Sequence, residues 1–143
     1  MLIRKMMTQD IPAVVEIENQ CFSLPWSEKS FEDSLSREDT IFLVCVDKVV
    51  TGYMGMYLSF EEASVTNVAV SPCFRKKGYG EALVEAAKVA AEEAGIECIF
   101  LEVRQSNVPA ISLYKKLGFE ELGIRKKFYE HPVEDAIIMK VGI

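Results

Sequence analysis

The spacing of hydrophobic and polar residues changes period several times along the chain, and each change marks an element. Leu2 to Met7 reads as a short strand. Thr8 is placed to cap a helix, and Ile11, Val14, Val15 and Ile17, with Glu16 and Glu18, predict a first amphipathic helix. Ser23-Leu24-Pro25-Trp26 breaks it, and Ser27 can cap a second short helix carrying Phe31 and Leu35. The middle is β-rich. Ile41 to Val46 and Val49 to Phe60 flank the polar pair Asp47-Lys48, which suits a hairpin. Ala63 to Val70 gives a further strand, ended by Ser71-Pro72.

From Gly80 the period becomes helical. Leu83, Ala86, Ala87, Ala90 and Ala94 form one face, and Glu81, Glu85, Lys88 and Glu92 form the other. Gly95 follows as a helix-terminating glycine. Cys98 to Val103 reads as a strand, and Asn107 to Leu117 as a helix with Pro109 in its first turn and Gly118 past its end. Glu120 to Lys127 and Ala136 to Val141 are the last two strands. The order β-α-α-β-β-β-α-β-α-β-β predicts an α/β sandwich with a mixed sheet in one domain, 1–143. No repeat, linker or low-complexity segment divides it.

Composition narrows the function classes. The chain has 143 residues, half of them hydrophobic and 27% charged, the profile of a globular protein. No apolar run approaches the roughly 18 residues that span a bilayer, and no signal-peptide pattern opens the chain. Cys21, Cys45, Cys73 and Cys98 are far apart, which argues against a zinc site and for reduced thiols in a cytoplasmic protein. The net charge of −6 argues against nucleic acid and for a basic peptide or protein partner. Arg75-Lys76-Lys77 is a positive cluster within this acidic chain.

That cluster lies in the most informative stretch, Asn67-Val68-Ala69-Val70-Ser71-Pro72-Cys73-Phe74-Arg75-Lys76-Lys77-Gly78-Tyr79-Gly80. A strand feeds a basic, glycine-containing turn that opens a long helix. Unpaired N–H groups and a partial positive charge make such a helix start a phosphate site. An ordinary strand-to-helix turn would look similar, but three cations immediately before the glycines favour a pyrophosphate cradle. A P-loop is excluded, since no GKS or GKT ending follows.

Arg75-x-x-Gly78-x-Gly80 after Val68-Ala69-Val70 resembles the coenzyme-A motif of the GNAT acetyltransferase superfamily. The resemblance implies a mixed, mostly antiparallel sheet flanked by helices on both faces, and acetyl-CoA as co-substrate. It implies that the turn, Arg75, Lys76, Lys77, Gly78, Tyr79, Gly80 and Glu81, holds the pyrophosphate. Val68, Ala69 and Val70 would bind the pantetheine arm and thioester carbonyl through their backbone, and Asn107 would be both a helix cap and a coenzyme contact. Leu101-Glu102-Val103-Arg104-Gln105-Ser106-Asn107, Ala110-Ile111-x-Leu113-Tyr114, Gly118-Phe119, Pro25-Trp26-Ser27-Glu28-Lys29 and Glu134-Asp135-Ala136-Ile137-Ile138-Met139 are similar to the bacterial ribosomal-protein-alanine N-acetyltransferase (RimI-like) branch. That branch implies acetylation of the N-terminal alanine of small-subunit ribosomal protein eighteen. Another protein N-terminus, a lysine or a small amine is the same-fold alternative, and a non-catalytic acetyl-CoA-binding module is the alternative from another class.

The residues make chemical sense of their own. Alternation puts Cys98, Phe100 and Glu102 on one face of their strand. A carboxylate there either pairs structurally, with Arg4, Arg104 or a backbone donor, or serves as general base, the role the motif favours. Tyr114 shares a helical face with Ile111 and Leu117, as a core tyrosine would. The resemblance assigns it as the acid that protonates the departing thiolate. Deprotonating an α-amine at pH 7 costs about 1 kcal/mol, against roughly 4–5 kcal/mol for lysine. One base and one weak acid therefore suffice, and no metal is required. His131, the only histidine, lies in a loop before Pro132 and reads as a surface residue. Tyr129 and His131 could instead border a peptide entrance with the Phe22–Trp26 loop, although Trp26 reads better as a core anchor.

Overall fold

The computed structural model describes all 143 residues. The elements follow the predicted order: β1 (Leu2–Lys5), α1 (Ile11–Cys21), α2 (Glu28–Leu35), β2 (Thr40–Asp47), β3 (Val49–Ser59), β4 (Glu62–Val70), α3 (Tyr79–Glu93), β5 (Cys98–Arg104), α4 (Val108–Lys116), β6 (Glu120–Tyr129) and β7 (Glu134–Gly142). One difference is at the entry to α1. Thr8 does not cap the helix but begins a short 3-10 turn, Thr8–Asp10. Asp10 explains why: its buried carboxylate accepts the Met7 N–H at 2.8 Å and two bonds from Arg4 at 2.7 and 2.9 Å. Ser27 caps α2 as expected, its hydroxyl accepting the Ser30 N–H at 3.1 Å.

The seven strands form one sheet in the order β1-β2-β3-β4-β5-β7-β6. Every neighbouring pair is antiparallel except β4 and β5. That parallel pair is short: Glu62, Ala63 and Ser64 align with Cys98, Ile99 and Phe100, and no pairing follows. Beyond Ser64 and Phe100 the two strands part, so the sheet carries a split in its interior. Just past the junction β4 bulges. Gly55 of β3 aligns with Asn67 and Met56 with Val65, which leaves Thr66 unmatched.

Alternation assigns the two faces. Leu43, Cys45, Met54, Met56, Ile99, Leu101, Val103, Ile137 and Met139 turn toward α3 and join its Leu83, Val84, Ala87 and Ala91 in the larger core. Phe42, Val44, Tyr53 and Ala69 turn the other way, onto Ile11, Val14 and Ile17 of α1 and Phe31 of α2. Trp26 packs here at 5.3 Å from the Phe31 ring and 6.2 Å from Phe42, so it is a core anchor. On the sheet, α1 packs mainly on β3 and β4, and α2 on β2. The corresponding face of β5 is therefore left half-open, with Cys98, Phe100 and Glu102 part-exposed. No helix is long and apolar enough to cross a membrane.

Candidate active site

Two neighbourhoods meet at the split, and the first is the start of α3. Gly78 is the residue before the helix, with φ +84°, and a Cβ placed there would meet nothing within 4 Å. Only glycine takes that left-handed geometry without strain, and the empty space leaves room for a ligand against the backbone. The Ala82 N–H donates to the Gly78 carbonyl at 3.1 Å, which begins the helical ladder. The amides before Ala82 are the unpaired set that a helix start offers an anion.

Side chains around this turn fall into two groups. Arg75, Lys76 and Lys77 are exposed. Arg75 reaches back to donate to the Val70 carbonyl at 3.4 Å and to Cys21 Sγ at 3.3 Å, and the Lys77 ammonium lies 5.5 Å from the centre of the Phe74 ring. Tyr79 and Glu81 are anchored elsewhere. The Tyr79 ring is buried and its hydroxyl donates to Asp47, while Glu81 pairs with Lys116 at 3.1 Å. Their backbone amides, not their side chains, are what these two can give a phosphate. Asn107 caps α4, its Oδ1 accepting the Ala110 N–H at 3.3 Å. The turn thus has free donors, three cations and room, which fits a pyrophosphate.

The second neighbourhood is the far side of the split. Leu101 and Val103 are buried toward α3, so Glu102 between them leaves the sheet on the α1 face. Its carboxylate is 30% exposed and lies 3.7 Å from Arg125 Nε on β6. Neither of the partners expected from the sequence takes it. Arg4 is held by Asp10, and Arg104 pairs with Glu134 at 3.2 Å. Arg125 could not be foreseen, because β6 reaches Glu102 only by pairing across β7.

Arg104 secures the mouth of the site instead. It donates to the carbonyls of Pro132 at 2.9 Å and Glu130 at 3.1 Å, and its guanidinium lies 4.5 Å from the centre of the Tyr129 ring. Glu134 also accepts the Ser106 N–H at 2.6 Å, and Ser106 with Arg104 holds its carboxyl below the usual range. Burial, with the nearby Glu102 charge adding to it, pushes the Tyr129 hydroxyl up to about 12. Tyr114 is buried in the larger core, 5.5 Å from Phe119 between ring centres. Burial raises its hydroxyl well above the usual tyrosine value, and Tyr129 adds to the shift. Both phenols are thus neutral at pH 7. His131 is exposed.

The acetyltransferase (GNAT) family model matches residues 11–119. The [ribosomal protein bS18]-alanine N-acetyltransferase of Escherichia coli is 36% identical over 143 residues, covering 99% of this chain and 97% of that protein. The crystal structure of the E. coli ribosomal-protein-S18-alanine N-acetyltransferase superposes with a TM-score of 0.91 at 35% identity, over 99% of this chain and 93% of that one. Ard1 from Thermoplasma volcanium superposes with a TM-score of 0.89 at 28% identity, over 99% and 97%. With the motif, the fold and these relatives in agreement, the chain belongs to the GNAT family of acetyltransferases, in the branch of the ribosomal-protein-alanine N-acetyltransferases.

Proposed function

We propose that this enzyme transfers the acetyl group of acetyl-CoA to the α-amine of an N-terminal alanine, that of ribosomal protein bS18. The observation that carries the reading is the split itself. A diphosphate cradle opens at the start of α3, and a part-exposed carboxylate stands across the gap on the uncovered face. Relatives at 36% identity across the full chain carry the bS18-alanine activity in their names, which supports the acceptor.

Acetyl-CoA would supply an activated acyl group. The amides and cations of Arg75 to Glu81 hold its pyrophosphate, Asn107 contacts it, and the backbone of Val68, Ala69 and Val70, on the side of β4 that β5 no longer pairs, orients the arm and the carbonyl. Glu102 takes the proton that the α-amine loses as its nitrogen bonds to the acetyl carbon. The carbon–sulfur bond breaks, and Tyr114, neutral at pH 7 as an ordinary tyrosine is, gives its proton to the departing sulfur. Arg125, 3.7 Å from one oxygen of Glu102, is beyond hydrogen-bond distance, so the carboxylate is free to accept that proton.

The test is a peptide panel with acetyl-CoA, read by mass spectrometry with the modified nitrogen localised. An alanine-initiated peptide should be labelled on its α-amine in preference to any lysine, and a formyl cap should abolish labelling. Robust labelling of the capped peptide on lysine would refute the N-terminal reading. Glu102→Gln should lower turnover most at low pH, where the amine is protonated, and leave acetyl-CoA affinity nearly intact.

A further inference from the structure

Glu18 has no part in the transfer, yet it is 2% exposed and forms no ion pair. Three donors from three other segments converge on its carboxylate. The Trp26 backbone N–H in the α1–α2 loop donates at 2.9 Å, the Tyr53 hydroxyl donates from β3, and the Asn67 side-chain amide donates from β4 at 3.4 Å. Burial pushes the carboxyl up, and the bonds from Trp26 and Asn67 act against it. Stability alone is poor justification for such a group, because apolar packing in its place is often as stable or more so. What the three bonds do achieve is geometric: they fix the loop, β3 and β4 relative to one another.

The consequence for Asn67 is specific. Its NH2 must face the carboxylate, so its Oδ1 turns away, and that atom is buried with no hydrogen-bond partner. Thr66 Oγ1, beside it at the bulge, is likewise buried without a partner. Unmet polar atoms of this kind are few in a folded protein, and each calls for a water or a ligand. The position points to the ligand. Asn67 is the first aligned residue after the bulge and the immediate neighbour of Val68. It lies three residues past Ser64, and Glu102 two past Phe100, the pair at which β4 and β5 part. Both side chains leave the sheet on the α1 face. A primary amine offers two N–H bonds besides the lone pair aimed at the acyl carbon. Glu102 serves one of them, and the second has no acceptor in the mechanism above.

We infer that Asn67 is an acceptor-binding residue whose free carbonyl receives the second N–H of the incoming amine, and that Glu18 is the positioning residue that aims it. The assignment rests on the amine-acetyltransferase reading and adds a selectivity to it. A secondary amine, which has a single N–H when neutral, loses this contact.

The experiment compares an alanine-initiated peptide with its N-methylalanine counterpart as acceptors. Acetyl-CoA affinity is measured in parallel by calorimetry. Asn67→Leu should raise the KM for the alanine peptide about tenfold and shrink the preference for the primary amine, with acetyl-CoA affinity unchanged. Glu18→Gln should also raise that KM. Adding Asn67→Asp to it should restore the KM, because the introduced glutamine amide can donate to one oxygen of the new carboxylate and leave the other for the amine. A folded Asn67→Leu enzyme with the wild-type peptide KM and the wild-type preference overturns the assignment. If Asn67→Leu does not fold, the exchanged pair decides: a folded double variant whose KM stays as high as that of Glu18→Gln overturns it too. Wild-type enzyme inactive on every peptide defeats the functional reading as a whole, whereas active wild type with indifferent variants defeats this inference alone.

Discussion

Replacing Gly52 by alanine would put a methyl group 2.8 Å from the Ala69 carbonyl oxygen, 3.1 Å from Leu83 Cδ1 and 3.3 Å from Val70 Cα. Two of these three atoms are backbone of β4, so no rotamer change relieves the overlap; β4 itself must shift. Overpacking of this kind costs about 1–3 kcal/mol, and the rigid neighbour argues for the upper half of that range. Alanine also restricts the unfolded chain, which offsets about 0.4–1 kcal/mol. The net loss is then about 1–2.6 kcal/mol, and at roughly 3 °C per kcal/mol for a chain of this size Tm should fall by about 3–8 °C. The shift matters for function because Ala69 and Val70 lie on the strand proposed to orient the acyl group. Calorimetry should show weaker acetyl-CoA binding, by about tenfold if the strand backbone is displaced, equivalent to about 1.4 kcal/mol. Scanning calorimetry with titration of acetyl-CoA measures both. A variant with Tm within about 1 °C of wild type and unchanged affinity would refute the claim that this glycine holds β3 and β4 at their close approach.

Four further outcomes are expected. Gly78→Ala meets no atom, so its folding cost is the left-handed strain alone, about 1–2 kcal/mol, while acetyl-CoA binding measured by calorimetry should weaken. Gly80→Ala, with contacts of 3.6 Å to Leu113 and Val70, should fold normally, and as part of the proposed cradle it too should bind acetyl-CoA more weakly. Arg4 holds the Asp10 carboxyl below its ordinary value, so this group adds stability that is full above about pH 4, its unfolded range, and is lost as pH falls through its lower folded pKa. Urea melts from pH 5 down to pH 2 should show a shallower acid loss for Asp10→Asn than for wild type. Tyr114→Phe keeps the ring packing against Phe119 and should lower turnover with little change in Tm; equal turnover across pH 6–9 would remove the residue from the acid role.

Much of this was legible in the sequence because the informative signals are local. The alanine-rich face of α3, the cap at Asn107 and the alternation that exposes Glu102 each depend on residues a few positions apart. What escaped depends on chain segments that meet only after folding. The partner of Glu102 proved to be Arg125, two strands away. Glu18 reads as part of the polar side of α1 beside Glu16, yet it is four residues after Val14 and seven after Ile11. Those intervals put it on the buried stripe, and the same count made on the sequence would have singled it out. Its three donors, spread over residues 26 to 67, leave no trace in local patterning.

The three-residue junction between β4 and β5 has a consequence for what this protein can safely display. Past the junction the facing edges of the two strands no longer pair with each other, the condition that makes an ordinary sheet margin recruit foreign strands. Here those edges face one another inside the sheet, where a polypeptide bearing side chains on both faces has no way in. A slender amide-containing chain does. Parting the strands inside the sheet therefore leaves backbone hydrogen-bonding groups within reach of a narrow ligand without adding another outer edge at which a second chain could pair.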